Sequence, residues 1–247
     1  MLVVTASAVY GFFGAIRLIY PLRYEDYIEE YSDRYGLDKY LVMAVIKAES
    51  NYIYNAHSGV ARGLMQITDS TADWIAGKLG CEFEREDIEN PEININMGCY
   101  YLRYLLDYYN EDVNLALAAY NAGEGRIKDC MNYAASIGAP HSRWEDIVAV
   151  IPDMREDSIL EADTVKLGKF QGYETINYVE KLTDLSRTFA AVSGSKSSFG
   201  PAATGHAPSS PDPLPTRKDT AAAETASSPE KKVCPQQAQG LCQFGQA

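Results

Sequence analysis

Glu49 is the residue on which chemistry could be built. It stands in the run Ala44-Val45-Ile46-Lys47-Ala48-Glu49-Ser50-Asn51-Tyr52. At about 100° per residue it projects from the same helical face as Leu41, Val42, Val45 and Ile46. A carboxyl on an apolar face, at a helix C-terminus where the macrodipole is negative, is disfavoured as an anion, so its pKa moves upward. A carboxylic acid that keeps its proton near neutral pH suits general acid catalysis, and hydrophobic surroundings can raise a glutamate to about 6. The alternative is a terminal glutamate that turns to solvent as the helix frays. The choice depends on what the rest of the chain brings to Glu49.

The elements that must position it are helical almost throughout, between about Leu22 and Val192. Periodicity and end signals predict helices over 24–35, 38–50, 70–79, 91–110, 112–122 and 175–192. Asp38 is placed to cap the second. Ser70 with Asp73 forms a capping-box variant for the third, which ends before Gly80, and Pro91 suits the first turn of the fourth. The stretch Asp112 to Ala122 is apolar nearly all round, as expected of a helix at the centre of a core. No strand-period alternation of useful length competes, and there is no internal repeat. The expected fold is a compact, mainly α domain.

Composition excludes some partners. The 247 residues carry 34 Asp+Glu against 22 Lys+Arg, a formal net charge of -12, which argues against nucleic acid, where affinity rests on Lys and Arg neutralising phosphates. The 18 Tyr are a supply for stacking on ring-shaped ligands as well as ordinary core filler. Three scattered histidines, His57, His141 and His206, speak against zinc. The five cysteines show no metal-ligand spacing. Those in helical patterns, Cys99 and Cys130 among them, read as small buried hydrophobes, whereas Cys234 and Cys242 could pair in the tail of an exported chain. No cofactor or metal is expected.

The two ends differ. Leu2 to Ile16 is apolar and, with Leu18-Ile19 beyond Arg17, gives roughly 19 residues that in a helix approach the ~30 Å hydrocarbon thickness of a bilayer. Residues 1–21 are therefore expected to be a signal-anchor or transmembrane segment, with a buried core helix as the alternative. From 193 to 247 the chain is rich in Ser, Pro, Ala and Thr. It is expected to be a disordered low-complexity tail, because it cannot bury enough apolar surface to offset ordering entropy. Residues 22–192 are left as the folded domain.

Four segments then decide the reading of Glu49: Glu49-Ser50-Asn51-Tyr52, Gly63-Leu64-Met65-Gln66-Ile67, Ala119-Tyr120-Asn121-Ala122-Gly123, and Glu174-Thr175 with Tyr178-Val179. In this order they resemble lytic transglycosylases, in the soluble-lytic-transglycosylase-like catalytic domain of the lysozyme-like superfamily, over roughly Tyr31 to Leu185. Asn90 to Gly98 also fits that family's lead into its long helix and reads as scaffold. Between Ser58 and Gly63 the chain is one residue shorter than the family's usual Ser-x-x-Gly-Ala-x-Gly.

The resemblance implies roles. Glu49 is the single acid/base, and Ser50 hydrogen-bonds near it and orients the carboxyl. Met65 and Gln66 contact sugar N-acetyl and hydroxyl groups, Tyr120 and Asn121 form a cleft wall, and Tyr178 approaches Glu49 from the last helix. Gln66 and Asn121 are equally suited to satisfying turn backbone groups, and Tyr120 and Tyr178 to filling a core.

The implied reaction cleaves the β-1,4 bond between N-acetylmuramic acid and N-acetylglucosamine in peptidoglycan and leaves a 1,6-anhydro end. A hydrolytic muramidase similar to goose-type lysozyme is the nearest alternative, with Asp69 or Asp73 as its second carboxylate. A non-catalytic glycan-binding wall module is another. The implied partners are peptidoglycan strands, a membrane through residues 1–21, and cell-wall or secretion-apparatus proteins, with the domain outside the cytoplasm.

Overall fold

The structure, a computed structural model, describes residues 23–80 and 83–193. The expected membrane segment at 1–21 and all but Ser193 of the expected tail lie outside the described residues, as do Cys81, His206, Cys234 and Cys242.

Among the described residues there are eight α-helices: α1 (Glu25–Tyr35), α2 (Lys39–Ser50), α3 (Asp69–Leu79), α4 (Pro91–Tyr108), α5 (Val113–Ala122), α6 (Glu124–Ser136), α7 (Trp144–Val150) and α8 (Tyr173–Val192). Short 3-10 turns at Arg85–Glu89, Asp153–Arg155 and Asp157–Glu161 complete the helical part. Three two-residue strands, β1 (His57–Ser58), β2 (Ala61–Arg62) and β3 (Ile67–Thr68), pair antiparallel in sequence order between α2 and α3. None of the described helices is long and apolar enough to cross a membrane.

The helix ends follow the side chains that stop them. Asp38 accepts from the Tyr40 N–H at 2.8 Å and starts α2. Asn90 accepts from Glu92 N–H at 2.9 Å, with Pro91 in the first turn of α4. Asp112 serves two helices: one carboxylate oxygen takes Leu115 N–H at 3.0 Å, the other Trp144 N–H at 3.1 Å.

The cap of α3 differs from expectation. It is Thr68, whose hydroxyl accepts from Thr71 N–H at 3.1 Å, and the helix begins at Asp69. A capping residue needs extended backbone, and Thr68 already has it because it pairs with Ala61 in the sheet. Asp73, freed from capping, bonds Arg85 at 2.8 Å. Helix α4 stops two residues early, because Asn110 and Glu111 take left-handed φ of 52° and 63°.

Helix α2 is enclosed rather than striped, since every residue from Tyr40 to Ile46 is buried. It packs along α8 and against α1, and α5 lies between α4 and α8 with Leu115 to Ala119 all buried. These two helices are the centre of the core, which is why the functional segments at their C-terminal ends are held so firmly. Cys99 and Cys130 are buried free thiols.

Candidate active site

Helix α2 leaves the core in its last turn and brings Glu49 to a half-buried position. The chain then turns sharply, with Asn51 and Tyr52 both left-handed at φ 52° and 63°. For non-glycine residues this costs roughly 1–2 kcal/mol each. Tyr52 holds the turn in place: it is 2% exposed and its hydroxyl donates to the Met43 carbonyl at 3.3 Å.

The Tyr178 hydroxyl, from α8, donates to Glu49 Oε1 at 2.5 Å. Burial pushes the Glu49 carboxyl up; the Tyr178 bond and the Lys181 charge pull the other way without cancelling it. Burial, and then the charge of Glu49, hold the phenols of Tyr178 and Tyr120 well above their ordinary range. Both therefore remain hydroxyl donors.

A second region faces this chemistry with a fixed shape. The β1–β2 hairpin turns through Gly59 and Val60, with Gly59 at φ 67°, and pairs His57 with Arg62 and Ser58 with Ala61. This is the conformation taken by the segment that is one residue short. Gly63 follows at φ 79°, where a Cβ would lie 2.2 Å from Asn94 Nδ2. Asn94, fully buried on α4, accepts from Met65 N–H at 2.7 Å and donates to the carbonyls of Arg62 at 3.0 Å and Ile88 at 2.8 Å. The Met65 side chain is also fully buried and fills the space above Gly98, whose Cβ would lie 2.3 Å from Met65 Sδ.

Gln66, left-handed at φ 50°, is the staple of this turn. Its Nε2 donates to Ala56 and Gly63 carbonyls at 3.0 and 2.8 Å, and its Oε1 accepts from Ser58 Oγ at 2.6 Å. Tyr120 ties the turn to α5 by donating to the Met65 carbonyl at 2.8 Å. Asn121, exposed, accepts from Thr175 Oγ1 at 2.9 Å, and among the described residues its amide nitrogen has no partner.

A groove of about 670 Å³ is lined in one part by Gln66, Thr68, Tyr101, Tyr120 and Asn121. Of the residues expected from sequence, the structure thus brings Gln66, Tyr120 and Asn121 to one groove and joins Glu49 to Tyr178. Tyr120 belongs to both groups.

Two expectations about side chains are corrected. Ser50, expected to orient the carboxyl, donates instead to the Ile46 carbonyl at 3.1 Å; it is buried, and its own helix offers the nearer acceptor. Met65, expected to touch sugar, points into the core and presents only its backbone. In the sequence Asn94 reads as scaffold, and only its burial and its bonds to Met65, Arg62 and Ile88 reveal what it holds.

The two carboxylates considered for a hydrolase are already engaged. Asp69 pairs with Arg62 at 3.1 Å and Arg85 at 3.6 Å, and Asp73 with Arg85 at 2.8 Å; neither lines the groove. Among the described residues no cluster of His, Cys, Asp or Glu is placed to hold a metal ion.

Comparison with known proteins gives a consistent result. A protein described as membrane-bound lytic murein transglycosylase F from Desulfosudis oleivorans is 34% identical over 168 residues, covering 65% of this chain and 35% of that protein. The chain thus spans about a third of the length of the curated relatives it matches. The fold is shared with an inactive mutant of lytic transglycosylase Slt from Pseudomonas aeruginosa, at TM-score 0.57 and 22% identity over 73% of this chain and 26% of that one. The 70 kDa soluble lytic transglycosylase of Escherichia coli aligns at TM-score 0.52 and 26% identity over 72% of this chain and 25% of that one. Residues 26–139 match the family described as transglycosylase SLT domain. With the motif order, the helical fold and these relatives in agreement, the chain carries a transglycosylase SLT domain.

Proposed function

We propose that this chain is a peptidoglycan lytic transglycosylase with Glu49 as its single acid/base. The observation that carries the reading is the half-buried Glu49 carboxyl, pushed up by burial, held at 2.5 Å by Tyr178 and near enough to Tyr120, a wall residue of the groove, for its charge to raise that phenol. Protonated Glu49 donates to the oxygen linking N-acetylmuramic acid to N-acetylglucosamine, and the C1–O bond breaks. The carboxylate so formed takes the proton of the muramoyl C6 hydroxyl as that oxygen bonds C1 and closes the 1,6-anhydro ring. No water is consumed, and the N-acetyl group of the substrate can assist from within. The capture is intramolecular and gains from proximity, which removes the need for the second carboxylate that glycosidases ordinarily use.

In this reading Tyr178 positions the acid and keeps its carboxylate form accessible for the second proton transfer. Asn121 offers its free amide N–H to N-acetyl or hydroxyl oxygens, and Tyr120 offers its ring face. Gln66 stands in the wall itself, and Met65 and Ser50 support it from behind. In this reading the catalytic domain is residues 22–192, and 1–21 serve as a membrane anchor. The relatives' description as membrane-bound supports an anchored enzyme of the cell envelope, with cell-wall or secretion-apparatus proteins as its neighbours.

Mass spectrometry of muropeptides released from purified peptidoglycan tests this. Products about 18 mass units lighter than reducing muropeptides, absent with Glu49→Gln, are expected. Reducing ends instead would identify a hydrolase, and no products from either protein would leave a glycan-binding module.

A further inference from the structure

The loop that follows Glu49 leaves apolar side chains outside although its backbone is fixed. One turn closes from Ala56 N–H to the Ile53 carbonyl at 3.2 Å, and the hairpin base from Gly63 N–H to the Ala56 carbonyl at 2.9 Å. Gln66 Nε2 donates to the same Ala56 carbonyl, and Tyr52 lies buried. On this frame Ile53 is 52% exposed, Tyr54 50% and Val60, at the hairpin tip, 70%. None of the three lines the groove.

The loop is also uncharged. From Ser50 to Ala61 there is no Asp, Glu, Lys or Arg, in a chain of which 23% is charged. The charges that border it are engaged with one another: His57 meets Glu89 at 2.7 Å, Arg62 meets Asp69, and Arg85 meets Asp69 and Asp73. No charge is offered there to steer a protein partner. Exposed aliphatic side chains beside a phenol whose hydroxyl can stay wet suit the boundary between water and acyl chains.

The place of the loop in the fold agrees. Tyr31 of α1 donates to Glu92 of α4 at 3.2 Å, and Tyr35 donates to Asn96 at 2.6 Å. An advance of four residues on each helix keeps the contact, so α1 and α4 run parallel. Helix α1 therefore starts about 9 Å beyond the level of Glu92, itself in the first turn of α4. Glu89, just before α4, holds His57 of β1. Arg23, where the described chain enters α1, thus lies at the same end of the domain as the loop, and residues 1–21 end two positions before it.

We infer that the loop 53–60 seats Ile53, Tyr54 and Val60 in the headgroup boundary of the bilayer that residues 1–21 enter. The inference rests on the reading of 1–21 as an anchor and adds an orientation, since an anchor alone lets the domain swing and a second contact fixes it. Because Ser50 follows Glu49 directly, the seat sets how far from the bilayer the cleaved bond lies. Glu25 and Asp26, exposed at the same end, oppose anionic lipid.

The test floats the full chain with phosphatidylcholine vesicles whose acyl chains carry bromine near the headgroup. Both native tryptophans, Trp74 and Trp144, are buried, so Val60→Trp adds an exposed reporter. Its added emission should shift to the blue and fall by about half, as for a ring at the acyl boundary. Asp107→Trp, about 24 Å from Pro91 along α4, should keep its emission. Ile53→Ser/Tyr54→Ser added to Val60→Trp should abolish the quenching without loss of flotation. Phosphatidylglycerol in the vesicles should reduce the quenching, and salt should restore it. Flotation without quenching at position 60 would overturn the inference, leave the anchor standing and assign the apolar loop to a protein partner. Quenching that survives Ile53→Ser/Tyr54→Ser would reveal only the reporter's own affinity for lipid and would overturn it as well. A chain that does not float at all would refute the anchor, and the inference with it.

Discussion

Glu49 is held at the end of α2 by one hydrogen bond from Tyr178 and by the packing of two long helices, whereas the turn from Gly63 to Gln66 spends nearly every polar group it has on itself and on Asn94. The first region is under-bonded around a titratable group, so burial is free to set its proton affinity. The second is saturated, so its shape does not respond to what binds. Chemistry requires the former, because a carboxyl wrapped in donors would be held as an anion. A groove wall requires the latter, because a turn with three left-handed residues at Gly59, Gly63 and Gln66 would otherwise relax. The same chain places the two side by side and joins them through Tyr120.

Substitutions that attack one region should leave the signature of the other intact. The largest effect is expected from Glu49→Gln, which removes the proton donor and should lower turnover about a thousandfold in muropeptide release. Its stability should move the other way. The folded acid is raised, so its favourable contribution is full below the unfolded carboxylate range and is lost as pH rises through the folded value. Thermal melts should therefore match wild type near pH 4 and lie above it near pH 8. Equal melts at both would show that burial does not govern the carboxyl.

Gly63→Ala strikes the saturated region, combining a left-handed backbone with a clash against Asn94 and the Ile88 carbonyl. A loss of about 3 kcal/mol in denaturant unfolding is expected, with the alkaline limb of the residual activity unmoved. Tyr178→Phe is smaller. It should cut kcat about tenfold, the value of one hydrogen bond to a charged group. Because that bond lowers the Glu49 pKa, its removal should shift the alkaline limb of the kcat profile to higher pH. A limb that moves down would assign Tyr178 the opposite electrostatic role. Smallest of all, Asp69→Asn with Asp73→Asn should leave kcat within about twofold, since both carboxylates serve surface ion pairs of little energetic weight. A large loss would reopen the hydrolytic route.

Much of the first region is legible in the sequence. Helix period places Glu49 among buried neighbours, and Asp38 marks the start of its helix. Motif order supplies Tyr178 from 129 residues away. The second region is not legible to the same degree. Its strands are two residues long, shorter than any alternation can register, and four successive polar residues, Thr68-Asp69-Ser70-Thr71, offer several caps among which only the sheet pairing chooses. Asn94 reads as an ordinary helical residue because its three partners are up to 32 residues away. The grip of Arg126 and Asp129 on the loop before α8, through the Leu167 carbonyl and the Lys166 N–H among others, is equally silent, being made with backbone groups that every sequence possesses.

Gly98 and Met65 have a consequence for how this site can change over generations. A side chain at 98 would occupy the volume that the thioether fills, so the two positions are one unit of inheritance rather than two. A library that randomises both should return a larger residue at 98 only together with a smaller one at 65. Likewise, a graft that imports the Gly-Leu-Met-Gln turn from a relative should carry its helical partner along.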